Sequence, residues 1–325
     1  MHVRRFATYV EVLTPAKVNQ FLGVLAKRPD GYHELETLLA AVACYDTLHF
    51  APDDGGQIQL DCRWAAGHLA REMRSDRDRP AARELLYGEI PAGPENLVWR
   101  AAALVRDRAG ISRGATIRLI KRIPAAAGLG GASSDAAATL IAANTAWQVG
   151  WPRERLLALA AELGSDVPFF LTPGAAVGRG RGERIEGIRI PRLHIVIVRP
   201  PVGLRTPDVY RRCRPAENKL GVTTLTEAPA RGDLAEAARR LKNDLEPAAR
   251  QLTPWIDTLR SEFDKQDLLG HQMSGSGSSY FGLCRSARQA RRIAARLRAR
   301  DIGVAMAMLT ASGDTNDLRM TGTSE

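Results

Sequence analysis

Cysteine is scarce in this 325-residue chain, and its placement excludes two classes at once. Cys44, Cys62, Cys213 and Cys284 lie far apart and form no Cys-x-x-Cys pair. A disulfide framework and a zinc site both need paired or closely spaced thiols. Reduced thiols and a cytoplasmic location are therefore expected. Long apolar runs are also lacking: none approaches the ~18 residues of a membrane-spanning helix. The opening MHVRRFATYVEVL has no apolar stretch of the kind a secretory leader carries. The Gly-Lys dipeptide is absent, so the phosphate loop built on G-x-x-x-x-G-K-[ST] is excluded. Internal repeats are absent as well.

Acidic residues are outnumbered, 36 against 46 lysines and arginines, for a formal charge of +10. Nucleic acid is the first partner such a balance suggests. The excess is local, however. Seven arginines and no acid lie between Arg285 and Arg300. Ala290, Ala294 and Leu297 recur there at helical spacing, so the stretch reads as an amphipathic helix with arginine on its solvent side. No aromatic interleaving accompanies it, and no nucleic-acid or membrane partner is expected. A hydrophobic fraction of 45% supplies an ordinary globular core, and the length suggests about two domains.

Glycine is plentiful in one place. The stretch from Pro124 to Ala138 reads PAAAGLGGASSDAAA, with Gly128, Gly130 and Gly131 in four positions. Before it, GATIRLIKRI places Ala115, Ile117, Leu119 and Ile123 on one face of a strand. After it, an alanine-rich helix is expected over 136–147, with Ser133 or Ser134 as its cap. Strand, glycine loop and helix together make an anion site, because amides and the positive end of the helix dipole face the loop. The alternative is a tight connection with no ligand. The dinucleotide fingerprint fails, since Ser133 stands where its third glycine belongs.

Elsewhere, Phe6, Val10 and Val12 lead into a strand that Pro15 interrupts. Lys17 and Asn19 follow at alternate positions and so point to one side. Pro29-Asp30-Gly31 is a turn, with Tyr32 and His33 directly after it. The region 61–94 is rich in charge and reads as a surface insertion. Pro94-Glu95-Asn96 opens a helix. By spacing alone, Asp166 reads as the N-cap of a short turn containing Pro168. Pro173-Gly174 marks a domain boundary, dividing the chain into 1–172 and 173–325. A polar tail begins at about 312.

Three blocks, PAKVNQFL, PAAAGLGGASSDAAATL and MSGSGSSYFGL, resemble the three motifs of the GHMP kinase superfamily. The strings AKVNQFLGVLAKRPDGYHELET and LGSDVPFFLTPGAAVGRGRGE are similar to one branch of it, which phosphorylates the 2-hydroxyl of a cytidine-diphosphate-linked methylerythritol in the non-mevalonate route to isoprenoids. The resemblance implies an α+β fold of two domains. The N-terminal one is ribosomal-protein-S5-domain-2-like, the C-terminal one a ferredoxin-like α/β sandwich, and the active site lies in the cleft between them. It implies ATP and Mg2+ as cofactors, no assigned metal ligand beyond a guess at Ser134, a small-molecule substrate, and a monomer or homodimer. It also implies that Asp166 is the catalytic base and Lys17 its partner. Nucleotide binding falls to Asn96, Lys121, Pro124, Ala126, Ala127, Gly128, Leu129, Gly130, Gly131, Ala132, Ser133 and Ser134. Tyr32 and Tyr210 would sandwich cytosine, His33 would hydrogen-bond it, and Asn19 and Thr206 would contact substrate. Relatives often have glycine where Ala126, Ala127 and Ala132 stand, and alanine at negative φ is expected to preserve the loop. The rival readings are a superfamily kinase acting on mevalonate, homoserine or a sugar, and a basic RNA-binding protein sharing part of the fold.

Overall fold

The computed structural model describes residues 1–65, 90–91, 93–215 and 234–310. Its frame is one antiparallel ribbon. Strand β1 (His2–Arg5) pairs with β2 (Val10–Lys27), which pairs along its length with β3 (His33–Asp53). Pro15 does not end β2. The ladder absorbs it as a bulge between Pro15 and Ala16, and further bulges follow at Asn19/Phe21 and Val24/Ala26. A bulge re-aims the chain without breaking the sheet, so Lys17 and Asn19 stay on a continuous strand. Strand β4 (Ile58–Trp64) and strand β5 (Gly114–Lys121) complete the path β1-β2-β3-β5-β4. The first residues of the expected insertion, Asp61 to Trp64, are thus an edge strand parallel to β5. Most of the remainder of the insertion, and the expected polar tail, lie outside the described residues.

Helices cover one face of this sheet. They are α1 (Leu97–Ala109), α2 (Gly131–Ala146), α3 (Arg153–Leu163) and the single turn α4 (Val167–Phe170). Asn96 caps α1 as the Pro94-Glu95-Asn96 signal predicts: its side chain accepts from the Val98 amide at 2.9 Å. The apolar faces of β3, β5, α1 and α2 form one core with Phe50, Ile117, Leu119 and Leu140 fully buried.

Pro173-Gly174 does not end the first sheet. Strands β6 (Ala175–Gly180) and β7 (Arg184–Ile188) form a hairpin, and β6 pairs with the free stretch of β3. The second sheet follows: β8 (His194–Arg199), then α5 (Thr206–Arg212), α6 (Leu234–Arg239), a two-residue strand β9 (Lys242–Asn243) returned to β2, α7 (Glu246–Arg250), α8 (Trp255–Asp264), β10 (Gly270–Met273), β11 (Tyr280–Cys284), α9 (Ala287–Arg298) and β12 (Val304–Leu309). Its order is β10-β11-β8-β12, all antiparallel. In α9 the apolar stripe of Ala290, Ile293, Ala294 and Leu297 is buried, and Arg288, Arg292 and Arg296 face outward.

The two sheets meet through a shared apolar layer. Ala16, Val18, Ala40 and Val42 from the first pack with Ile195, Ile197, Phe281 and Met306 from the second. Ala127 and Leu129 of the glycine loop are buried in that same layer. The loop is therefore pinned where the two halves join.

Candidate active site

The glycine loop bridges β5 and α2. Helix α2 starts five residues earlier than the alanine run suggests, capped by Gly130 at φ 71° with no side-chain cap. Ser133 and Ser134 lie inside its first turn. Ser134 is fully buried, donates its hydroxyl to the Pro15 carbonyl at 2.6 Å and gives its amide to the Gly130 carbonyl. It faces away from the cleft and is lost as a cradle or metal residue. Ser133 lines the cleft.

The orientation of the loop has a physical cause. Its carbonyls from Ala126 to Leu129 are all engaged on the far side. Those of Ala126, Ala127 and Leu129 accept from the amides of Leu204, Ser279 and Lys17, and that of Gly128 accepts from the Ser274 hydroxyl at 3.0 Å. The amides from Gly128 to Ser133 donate to no group among the described residues. A row of amides ending at a helix N-terminus is thereby left facing the cleft, the arrangement that takes phosphate oxygens. Ala126 takes φ 49°, so it occupies the left-handed region rather than the negative φ expected of alanine.

Below the cradle lies a buried charge cluster. Lys121 shares the odd-numbered face of β5 with Ala115, Ile117 and Leu119, and a lysine on a buried face needs partners. It donates to Asp46 and, at 2.5 Å, to Asp135. Burial works against the charge, but the two carboxylates hold Lys121 protonated, above the ordinary lysine range. Asp46 also accepts from the amides of Arg122 and Ile123. Asp135 has only Lys121, and its Oδ1 has no partner. Burial, opposed by Lys121 and reinforced by Asp46, pushes the Asp135 carboxyl up to about 8. The native state thus holds a proton here that the unfolded chain releases near pH 4. This group's stabilising contribution is present at low pH and is lost as pH rises towards 8. Asp135→Asn mimics the protonated form. Its melting temperature should match that of the natural chain near pH 4 and exceed it by a margin that grows from there to pH 8, as thermal melts at those two pH values would register.

Across the cleft, β2 presents Lys17, which is 3% exposed. Its ammonium donates to Asn19 Oδ1 at 2.6 Å and lies 3.3 Å from Asp166 Oδ2. Asp166 occupies the N-cap position of α4 but makes no side-chain cap bond. Its carboxylate turns to Lys17 instead, which overturns the capping role that spacing suggests. Asn96 also lines the cleft. One amide hydrogen goes to the Pro91 carbonyl at 2.7 Å, and its oxygen is spent on capping α1.

At the other end of the β2–β3 ribbon the chain turns through Asp30 and Gly31. Tyr32 is 52% exposed, with the Arg181 guanidinium 4.8 Å from its ring centroid. His33 is buried against Tyr210, ring centroids 5.2 Å apart. Burial, with Lys27 nearby, lowers the pKa of His33, so its ring is held neutral as a donor and acceptor. Burial raises the Tyr210 phenol. Thr206 shares a 2.8 Å hydrogen bond with Ser276 of the third motif.

These groups line one cleft of about 780 Å³. Every site residue expected from sequence borders it except Ser134. Sequence reasoning missed Thr37, Asp135, Arg181 and Ser276, which border it too. Asp135 had a readable signal, being the one acid in the first turns of an alanine helix. Ser276 lies in the third motif and Arg181 in the GRGRGE end of LGSDVPFFLTPGAAVGRGRGE, but their places beside the cleft depend on chain crossings that no local pattern shows.

The described site also fits what known proteins share with this chain. Residues 96–174 match the model of the GHMP kinases N terminal domain and residues 225–303 that of the GHMP kinases C terminal. A 4-diphosphocytidyl-2-C-methyl-D-erythritol kinase of Pelotomaculum thermopropionicum is 41% identical over 295 residues, covering 90% of this chain and 95% of that protein. The crystal structure of a 4-(cytidine 5'-diphospho)-2C-methyl-D-erythritol kinase superposes with a TM-score of 0.73 at 38% identity, covering 93% of this chain and 99% of that one. A homoserine kinase from Cytophaga hutchinsonii, at 20% identity and a TM-score of 0.70, over 96% of this chain and 97% of its own, shares the fold. The chain belongs to the 4-diphosphocytidyl-2-C-methyl-D-erythritol kinases, within the GHMP kinases.

Proposed function

We propose that this protein transfers the γ-phosphate of ATP to the 2-hydroxyl of 4-diphosphocytidyl-2-C-methyl-D-erythritol, in the cytoplasm, as a step of non-mevalonate isoprenoid synthesis. The observation that carries the reading is the Lys17–Asp166 pair at 3.3 Å, facing a row of free amides across one cleft. Phosphoryl transfer asks a protein mainly to position groups and offset charge. The amides of Gly128 to Ser133 hold the triphosphate. Asp166 accepts the proton of the attacking hydroxyl, and Lys17 offsets charge on the oxygens that gather there. Asn96 keeps one amide hydrogen for the adenine.

Magnesium belongs to this reading. Among the described residues no three metal-ligating side chains cluster. That suits an ion held chiefly by phosphate oxygens and water with one or two protein oxygens. The Ser133 hydroxyl and the half-exposed Asp166 carboxylate are the groups that would complete its shell. Bound there, the ion would offset phosphate charge.

Specificity sits with Tyr32, His33 and Tyr210. A planar base stacks on aromatic rings, and a neutral imidazole can pair with its polar edge. Phosphoryl transfer assayed with the cytidylated substrate and with mevalonate tests the assignment, and turnover of mevalonate alone would refute it. Tyr32→Ala is expected to raise KM for the cytidylated substrate about tenfold, the loss of one stacking contact of 1–3 kcal/mol, with kcat little changed. An unchanged KM would remove Tyr32 from the base site.

A further inference from the structure

Thr37 lies on β3, at the end of the string AKVNQFLGVLAKRPDGYHELET though outside the three short motif blocks, and borders the cleft with its side chain buried. Its one hydroxyl hydrogen is spent: Oγ1 donates to the Phe21 carbonyl at 2.6 Å. The same oxygen lies 2.9 Å from Asn19 Nδ2, so in that contact it can only accept. This fixes the Asn19 amide. With its nitrogen held towards Thr37, its oxygen faces Lys17 and accepts from the ammonium at 2.6 Å. A flipped Asn19 would set an N–H against the Lys17 ammonium, donor against donor. The chain of direction therefore runs from the Phe21 carbonyl through Thr37 and Asn19 to Lys17, and ends at Asp166.

We infer that Thr37 is a positioning residue for the phosphoryl transfer, selecting the one Asn19 orientation that holds the Lys17 ammonium beside Asp166. The inference rests on the reading of Lys17 and Asp166 given above. The hydroxyl and the methyl of Thr37 do separate work. A Cβ built on Gly178 would come within 3.0 Å of the Thr37 methyl, so the methyl is a packing group in the sheet.

Two substitutions separate them. Thr37→Val keeps the shape and deletes the hydroxyl. Thr37→Ser keeps the hydroxyl and deletes the methyl. Steady-state kinetics of both, with melting temperatures, form the test. Thr37→Val is expected to lower kcat about tenfold, the rate equivalent of one hydrogen bond, with KM for ATP within twofold. Thr37→Ser is expected to keep kcat within threefold while melting earlier. A Thr37→Val enzyme with natural kcat overturns the inference. So does a Thr37→Ser enzyme as slow as Thr37→Val, or an effect confined to KM for the acceptor. If Thr37→Val does not fold, Thr37→Ala carries the same comparison with Thr37→Ser. Asp166→Ala run alongside separates the two readings. Natural turnover in Asp166→Ala sinks the base assignment. A slow Asp166→Ala beside a fast Thr37→Val sinks only the role of Thr37.

Discussion

Replacing Asp166 by alanine should lower kcat by about 10²–10⁴, the usual worth of a positioned general base, and leave the dissociation constant for ATP within a few-fold. The asymmetry follows from where the residue stands. Asp166 is not part of the cradle, whose amides belong to the loop and to the first turn of α2. Nor does it hold its own helix, because α4 takes no cap bond from its side chain. Its removal costs no cap bond, but it leaves the Lys17 ammonium, 3% exposed, without an anionic partner, so a lowered melting temperature is expected beside the loss of turnover. Lys17 is left buried with Asn19 as its one close acceptor. Turnover within a few-fold of the natural enzyme would mean that the carboxylate serves only to pair Lys17.

The second large effect is expected at Gly128, and it is of the opposite kind. The residue has φ 72°, and a Cβ there would fall 2.1 Å from the Ser274 carbonyl oxygen. That atom is backbone and cannot swing aside. Gly128→Ala must either separate the loop from the third motif or rotate its own peptide. Both moves break the Ser274–Gly128 hydrogen bond and displace the neighbouring amides. A displacement of about 1 Å in a positioning group costs about 10²-fold in rate. We expect kcat/KM for ATP to fall by about that factor, with a lower melting temperature. Gly150, also at positive φ but with open space around its Cβ position, provides the control. Gly150→Ala carries only the left-handed penalty of about 1–2 kcal/mol and should keep its kinetics.

What the sequence disclosed and what it withheld divide along one line. Local patterns were legible. Alternation at Ala115, Ile117 and Leu119 marked β5, three close glycines marked the loop, and Lys17 and Asn19 fell on one side of β2 because strand period is two. Failures came where distant chain decides local geometry. The serines after the loop look like caps, yet Gly130 takes that place because Ser134 is drawn inward to Pro15, 119 residues away in sequence. Asp166 looks like a cap because the ammonium that claims it lies on another strand. Pro15 looks like a strand break, but the pairing partners in β3 extend on both sides of it and a bulge is cheaper than ending the ladder. Ala126 is held at positive φ by a loop whose carbonyls are bonded on both flanks.

Those carbonyl ties also bear on how the enzyme can move. The cradle is riveted to β2 through Leu129, to the β8–α5 connection through Ala126 and to the third motif through Ala127 and Gly128. A hinge that swung the two halves apart would have to break these hydrogen bonds along the backbone of the glycine loop. The rim carries no such ties: there Tyr32 stands exposed under Arg181.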